Sequence, residues 1–127
     1  MTDDELISLV QEYFAGVDGE DLNQVLSTLT EDCRFTVETH NVELTGHEEI
    51  KGMLKRLWRN HSAVRHHAFT FVPFAEQGRV AAQFKVTNTL RDGSEAHKSN
   101  CNFFVLRGDR FDSVAVYMAG ENTLKKS

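Results

Sequence analysis

Four alternating runs dominate the second half of this chain: "VRHHAFTFVPF" from Val64, "RVAAQFKVTNTL" from Arg79, "EAHKSNCNFFVL" from Glu95 and "RFDSVAVYMA" from Arg110. They are separated by "EQG", "RDGS" and "RGD", each a short turn signal containing glycine. Connections this tight join strands to their immediate antiparallel neighbours, so these runs predict a four-stranded meander. The single proline, Pro73, lies inside the first run. It has no N–H to give to a ladder, which predicts an edge strand or a bulge there.

The first half carries a different period. Leu6, Val10, Tyr13 and Val17 recur at helical spacing through residues 3–18, and Asp3, Asp4 and Glu5 suit a helix N-terminus. "LNQVLSTLTED" repeats a shorter helical pattern through Leu22, Val25, Leu26 and Leu29, closing a helical hairpin. "CRFTVET" then alternates, with Cys33, Phe35, Val37 and Thr39 on one side, as a strand with one wet face. From Gly46, with Thr45 or Gly46 as the cap before an acidic first turn, Ile50, Met53, Leu54, Leu57 and Trp58 follow the helical period over three turns, with His61 at its end. The order ααβ(β)αββββ describes an α+β domain in which one curved, mostly antiparallel sheet wraps its concave face around three helices. A cone-shaped hollow is expected between the layers.

At 127 residues, 40% hydrophobic and with nine phenylalanines, the chain is sized for one domain spanning residues 1–127, with one real core. Fourteen basic against 19 acidic residues leave a net charge of −5. That balance opposes phosphate neutralisation and argues against nucleic acid and anionic membranes as partners. No run approaches the length of a membrane-spanning helix, and "MTDDELISLV" lacks the basic start of a signal peptide, so a cytoplasmic protein is expected. Cys33 and Cys101 lie in separate strand candidates without metal or redox spacing and read as reduced, buried thiols. His40, His47, His61 and His97 are dispersed and fit no metal-ligand pattern. Neither metal nor organic cofactor is expected.

Two adjacent histidines, His66 and His67, head the first run of the meander. Neighbouring strand residues face opposite ways, so one imidazole turns into the hollow and the other meets solvent. Alternation with Phe69 and Phe71 places His67 inward.

The chain as a whole resembles the nuclear transport factor 2-like superfamily, and within it the SnoaL-like and ketosteroid isomerase-like proteins. The resemblance is carried by "YFAGVDGEDL", "LTEDCRF", "LTGHEEIKGML", a histidine-bearing strand, "TLRDG" and "GDRFDSVAVYM", in that order. It implies that Tyr13 matches a phenol that donates to a substrate oxygen, although a core tyrosine bonded to backbone has equal claim. Asn102 falls near the family's second oxyanion donor; a plain strand asparagine is the competing reading. The ketosteroid isomerase base corresponds to Val37, so steroid isomerisation by that route is not expected. The resemblance implies an inward histidine on this strand, where His66 stands, which some relatives pair with a carboxylate near the end of the first helix, here Asp18. The resemblance thus favours His66 over His67, which requires a parity-reversing bulge, and Pro73 marks a place for one. Asp18 has a competing role, with Gly19 and Asp21, in ending one helix and capping the next.

Val37, Leu57, Trp58, Val86, Asn88, Phe104, Val116 and Met118 are the expected lining of the hollow. Its occupant would be an apolar, oxygen-bearing small molecule, such as a polyketide, terpenoid, steroid-like or aromatic metabolite. Two functions fit: a cofactor-free isomerase, cyclase or dehydratase working by acid/base chemistry, or a non-catalytic binding or dimerisation module. A homodimer paired through the convex face of the sheet is expected in either case.

Overall fold

The structure, a computed structural model, describes residues 1–120. Helix α1 runs Asp3–Asp18 and opens with a reciprocal cap: Thr2 Oγ1 accepts from Glu5 N at 3.1 Å, and Glu5 Oε1 accepts from Thr2 N at 2.9 Å. Its apolar stripe buries Leu6, Val10, Tyr13, Phe14 and Val17. Helix α2, Leu22–Ser27, is capped by Asp21, whose Oδ1 accepts from Gln24 N at 3.1 Å. The two helices meet where Gly16 faces Val25. A Cβ at Gly16 would stand 2.8 Å from Val25 Cγ2, so only glycine lets them approach this closely.

Strand β1 is Leu29–Val37, starting four residues before the alternation alone indicated. Leu29 and Thr30, read as the tail of the second helix, are strand: Leu29 pairs with Phe111, and Phe111 N donates to Thr28 O at 2.8 Å. The expected end at Thr39 gives way to a 3-10 turn over Glu38–His40, which leads into the short β2, Val42–Thr45. Helix α3, Gly46–Asn60, buries Ile50, Met53, Leu54 and Leu57. Thr45 is its cap residue but makes no side-chain cap bond; Glu49 Oε1 instead accepts from Thr45 N at 2.7 Å. The meander follows as β3 (His61–Phe74), β4 (Arg79–Leu90), β5 (Glu95–Arg107) and β6 (Arg110–Ala119).

The six strands form one sheet in the order β2-β1-β6-β5-β4-β3. All neighbours are antiparallel except β1 and β6, which run parallel. The sheet is unclosed, with β2 and β3 as its edges, and Pro73 does lie on an edge strand. The bulge, however, is not at Pro73. Between the pairs His67↔Lys85 and Thr70↔Gln83, β3 spends one residue more than β4, and Ala68 takes up the excess at φ +57°. That extra residue reverses the alternation, so His66, Phe69 and Phe71 all lie on the concave side.

The core fills the concave face. Leu6, Val10, Tyr13 and Phe14 of α1 and Ile50 and Leu54 of α3 pack over Phe84, Phe104, Phe111 and Val114 of the sheet. Phe14 is the hub of an aromatic cluster, its ring centroid 4.9 Å from Tyr13, 4.8 Å from Phe84 and 4.7 Å from His66.

Candidate active site

A cavity of about 70 Å³ opens between α1, α3 and the concave sheet. Of the residues expected to line it, Val37, Leu57, Val86, Asn88, Val116 and Met118 do so, together with Tyr13, His66 and Asn102. Trp58 and Phe104 do not. The Trp58 indole reaches sideways to donate to Val17 O at 2.9 Å, tying α3 to the end of α1. Phe104 is packed one layer deeper, against Tyr13 and Phe111.

His66 is held from two directions by Asp18. The Asp18 carboxylate accepts from His66 N at 2.8 Å through Oδ2 and meets His66 Nδ1 at 2.5 Å through Oδ1. The His66 and Asp18 side chains are 12% and 25% exposed, so the pair is substantially withdrawn from water. A carboxylate can only accept, so Nδ1 carries a proton, and it is in the neutral form of the ring that Nε2, on the far side, is an acceptor. Capping does not occupy Asp18: Asp21 caps α2, and Gly19 ends α1 through its own N–H. His67 points the other way, with Nε2 3.1 Å from Thr87 Oγ1.

Tyr13, 4% exposed, has its ring edge-on to Phe14 and Phe104. Among the described residues its hydroxyl has no hydrogen-bond partner. Burial first, then the neighbouring Cys33 and Asp18, push the phenol well above its ordinary range, so it stays a neutral donor. Val37 contributes only apolar wall.

The inward positions of β5 are more polar than expected. Lys98, Asn100 and Asn102 succeed one another at i, i+2 and i+4, are 6%, 7% and 3% exposed, and all line the cavity. Lys98 was not singled out by sequence reasoning. Its signal was there: strict alternation back from Phe104 through Asn102 and Asn100 reaches it. Phe14, Phe35, Met53 and Phe84 also line the cavity and were readable only as core.

Both cysteines are free thiols. Burial pushes Cys33 up to about 12, which makes it inert as a nucleophile. Among the described residues no three His, Cys, Asp or Glu side chains converge in a way that could hold a metal ion. No described helix is long and apolar enough to cross a membrane.

The fold recurs among solved structures. A candidate polyketide cyclase from Xanthomonas campestris pv. campestris superposes with a TM-score of 0.82 at 18% identity, over 91% of this chain and 90% of that one. PrhC from Penicillium brasilianum gives 0.83 at 14% identity, over 94% and 83%. A protein of ketosteroid isomerase-like fold from Catenulispora acidiphila, solved with trimethylamine, gives 0.77 at 15% identity, over 86% and 83%. At these identities the likeness is one of fold. No curated protein matches the chain. The family model of the SnoaL-like domain matches residues 10–114, spanning α1 to β6 and so including the hollow and its histidine strand. The chain belongs to the SnoaL-like domain family.

Proposed function

We propose that this protein is a cofactor-free acid/base enzyme, an isomerase, cyclase or dehydratase acting on an apolar, oxygen-bearing small molecule. One observation carries the reading: the Asp18–His66 pair, with its proton fixed on Nδ1, borders the same cavity as the unpartnered Tyr13 hydroxyl. In this reading Nε2 takes a proton from a carbon next to a substrate carbonyl. Tyr13 donates to the carbonyl oxygen as charge builds there, in surroundings dry enough to make that bond count. Returning the proton from the imidazolium to another carbon gives isomerisation; attack by the enolate carbon on a second carbonyl of the same molecule, whose oxygen then takes that proton, gives ring closure; delivery of the proton to a β-hydroxyl, which leaves as water as the enolate collapses, gives dehydration.

The probe is 2-indanone, a compact apolar ketone with acidic α-protons. Its deuterium exchange in D₂O, followed by NMR, should exceed the buffer rate with the wild-type protein and fall to that rate with His66→Gln. Tyr13→Phe removes one unbonded hydroxyl, so its thermal midpoint should stay within about 2 °C of wild type while exchange slows between about 10- and 100-fold. A midpoint that collapses would make the hydroxyl a structural bond instead.

The second reading, a binding module without turnover, draws on the aromatic packing around the cavity. Phe14 lies 4.7 Å from the His66 ring and Phe84 5.4 Å from it, narrowing the approach to the imidazole. Binding of 2-indanone without exchange would favour it.

A homodimer belongs to either reading. One rung across β3, β4, β5 and β6 sets Val72, Ala81, Phe103 and Ala115 side by side on the convex face, with Tyr117 edge-on to Phe103. Val72, Phe103 and Tyr117 are 65%, 50% and 43% exposed, an apolar surface that a second copy would cover. Light scattering should give twice 14.4 kDa, and Phe103→Lys should return the single-chain mass. The two free thiols suit a reducing compartment such as the cytoplasm.

A further inference from the structure

We infer that Asn100 and Asn102 form a site that reads hydroxyl groups, so the molecule held in this cavity is a hydroxylated ketone. The inference rests on the proposal that the cavity is the ligand site, and it narrows the ligand from any apolar oxygenated compound to one that carries an O–H donor at the end away from His66.

Asn100 and Asn102 are 7% and 3% exposed, and both line the cavity. Oδ1 of each is buried without a hydrogen-bond partner. An amide oxygen has two lone pairs and no proton, so only a donor can satisfy it. The oxygen of a ketone, ester or ether cannot. Turning either amide over moves its NH₂ into the same buried place and leaves that group unpaired instead. A hydroxyl both donates and accepts, so it answers the amide in either orientation.

The facing side chains of the neighbouring strands offer these amides nothing. Asn100 stands between Phe84 of β4 and Met118 of β6, and Asn102 between Ala82 and Val116. None of those four side chains has an N–H or O–H. Two amides set into an apolar wall cost stability unless something in the cavity bonds them. Leucine, of nearly the same size, would serve the core better at either position, so the use of the amides lies in what they bind.

Register sets these amides within one ligand's length of the imidazole. His66 pairs with Val86, the concave position of β4 next to Phe84. His66 and Asn100 therefore stand two strands and one concave step apart, about 12 Å between backbones, and both side chains line the space between. A small bicyclic ketone spans that gap, with its α-carbon at His66 Nε2 and a hydroxyl at its far end toward Asn100. Asn102 lies one concave step beyond Asn100 and extends the site along the strand.

Three probes test this by NMR titration of the backbone amides of β5 and β6: 2-indanone, 5-hydroxy-2-indanone and 5-methoxy-2-indanone. The hydroxylated ketone is expected to bind the wild-type protein about tenfold more tightly than 2-indanone. The methoxy ketone, which has the oxygen but no proton to give, should bind no more tightly than 2-indanone. Asn100→Leu should bring the hydroxyl preference down to about one, and Asn102→Leu should lower it by at least about threefold. The comparison of probes on the wild-type protein stands whether or not either variant folds. Equal binding of the hydroxylated and plain ketones, an equal gain from the methoxy group, or a full preference kept in both variants would overturn the hydroxyl site, while exchange of 2-indanone protons would still judge the acid/base reading separately. Silence of all three probes at every cavity resonance, with 2-indanone exchange at the buffer rate, would remove the ligand site itself.

Discussion

Asp18→Asn is expected to reverse the tautomer of His66. The backbone N–H of His66 needs an acceptor, and the asparagine oxygen is the one group able to replace Oδ2 there. That choice turns the new NH₂ toward His66 Nδ1, which must then offer a lone pair and pass its proton to Nε2. The face of the ring available to a ligand would become a donor, and a donor cannot accept a proton. Nitrogen-15 shifts of the imidazole read the two states directly, and the Nδ1–H pattern of the wild-type protein should give way to Nε2–H. Exchange of 2-indanone protons should fall by about 10²- to 10⁴-fold. Stability should fall by only about 1–3 kcal/mol, since both bonds to the Asp18 carboxylate lose their charge assistance but keep a partner and no cavity forms. A variant that kept the Nδ1–H tautomer and full exchange would reduce Asp18 to a clamp on the strand.

Phe14→Ala is expected to produce the largest loss of stability. Phe14 is 4% exposed and touches Tyr13, His66, Phe69, Phe84 and Phe104, with ring separations from 4.7 to 6.1 Å. Its removal deletes the hub between helix and sheet, with a cost of about 3–5 kcal/mol. For a chain of this size that lowers the thermal midpoint by roughly 10–20 °C. Because Phe14 lines the cavity, the void should merge with it, and benzene should recover part of the lost midpoint. A loss under about 1 kcal/mol would mean that the cluster closes over the gap.

The sequence was most legible where one period ran unbroken between turn signals. The limits of β4 and β6 follow from alternation framed by glycine turns, and those of α1 from the apolar stripe ending at Val17 and Asp18. The start of β1 was misread because Leu29 and Thr30 continue a helical spacing from Leu22, Val25 and Leu26. Parallel pairing with β6, a contact some eighty residues away, overrides that local preference. Trp58 was assigned to the hollow because it shares the helical period with Leu57; adjacent helix residues point about 100° apart, and its indole found a backbone carbonyl instead. Lys98 escaped notice because a lysine flanked by His97 and Ser99 reads as a solvated stretch, although its parity with Asn100 and Asn102 was plain. The choice between His66 and His67 could not be made from alternation. An alanine at positive φ has no signature in composition, and the bulge at Ala68 decides which imidazole enters.

That bulge also leaves the strand with a rival alignment, and the residue that forbids it stands next to the histidines. If the segment before Ala68 slid by one position to restore regular alternation, His67 would enter the hollow and His66 would leave it. Arg65, now exposed, would then turn inward where Val64 is buried. An unpaired guanidinium in that apolar layer would cost several kcal/mol, far more than the bulge itself. Arg65 therefore acts as a ratchet tooth: exposed on the other face of the strand from His66, it keeps the imidazole pair from trading places. Losing its charge would harm the fidelity of the alignment before it harmed the strength of the fold.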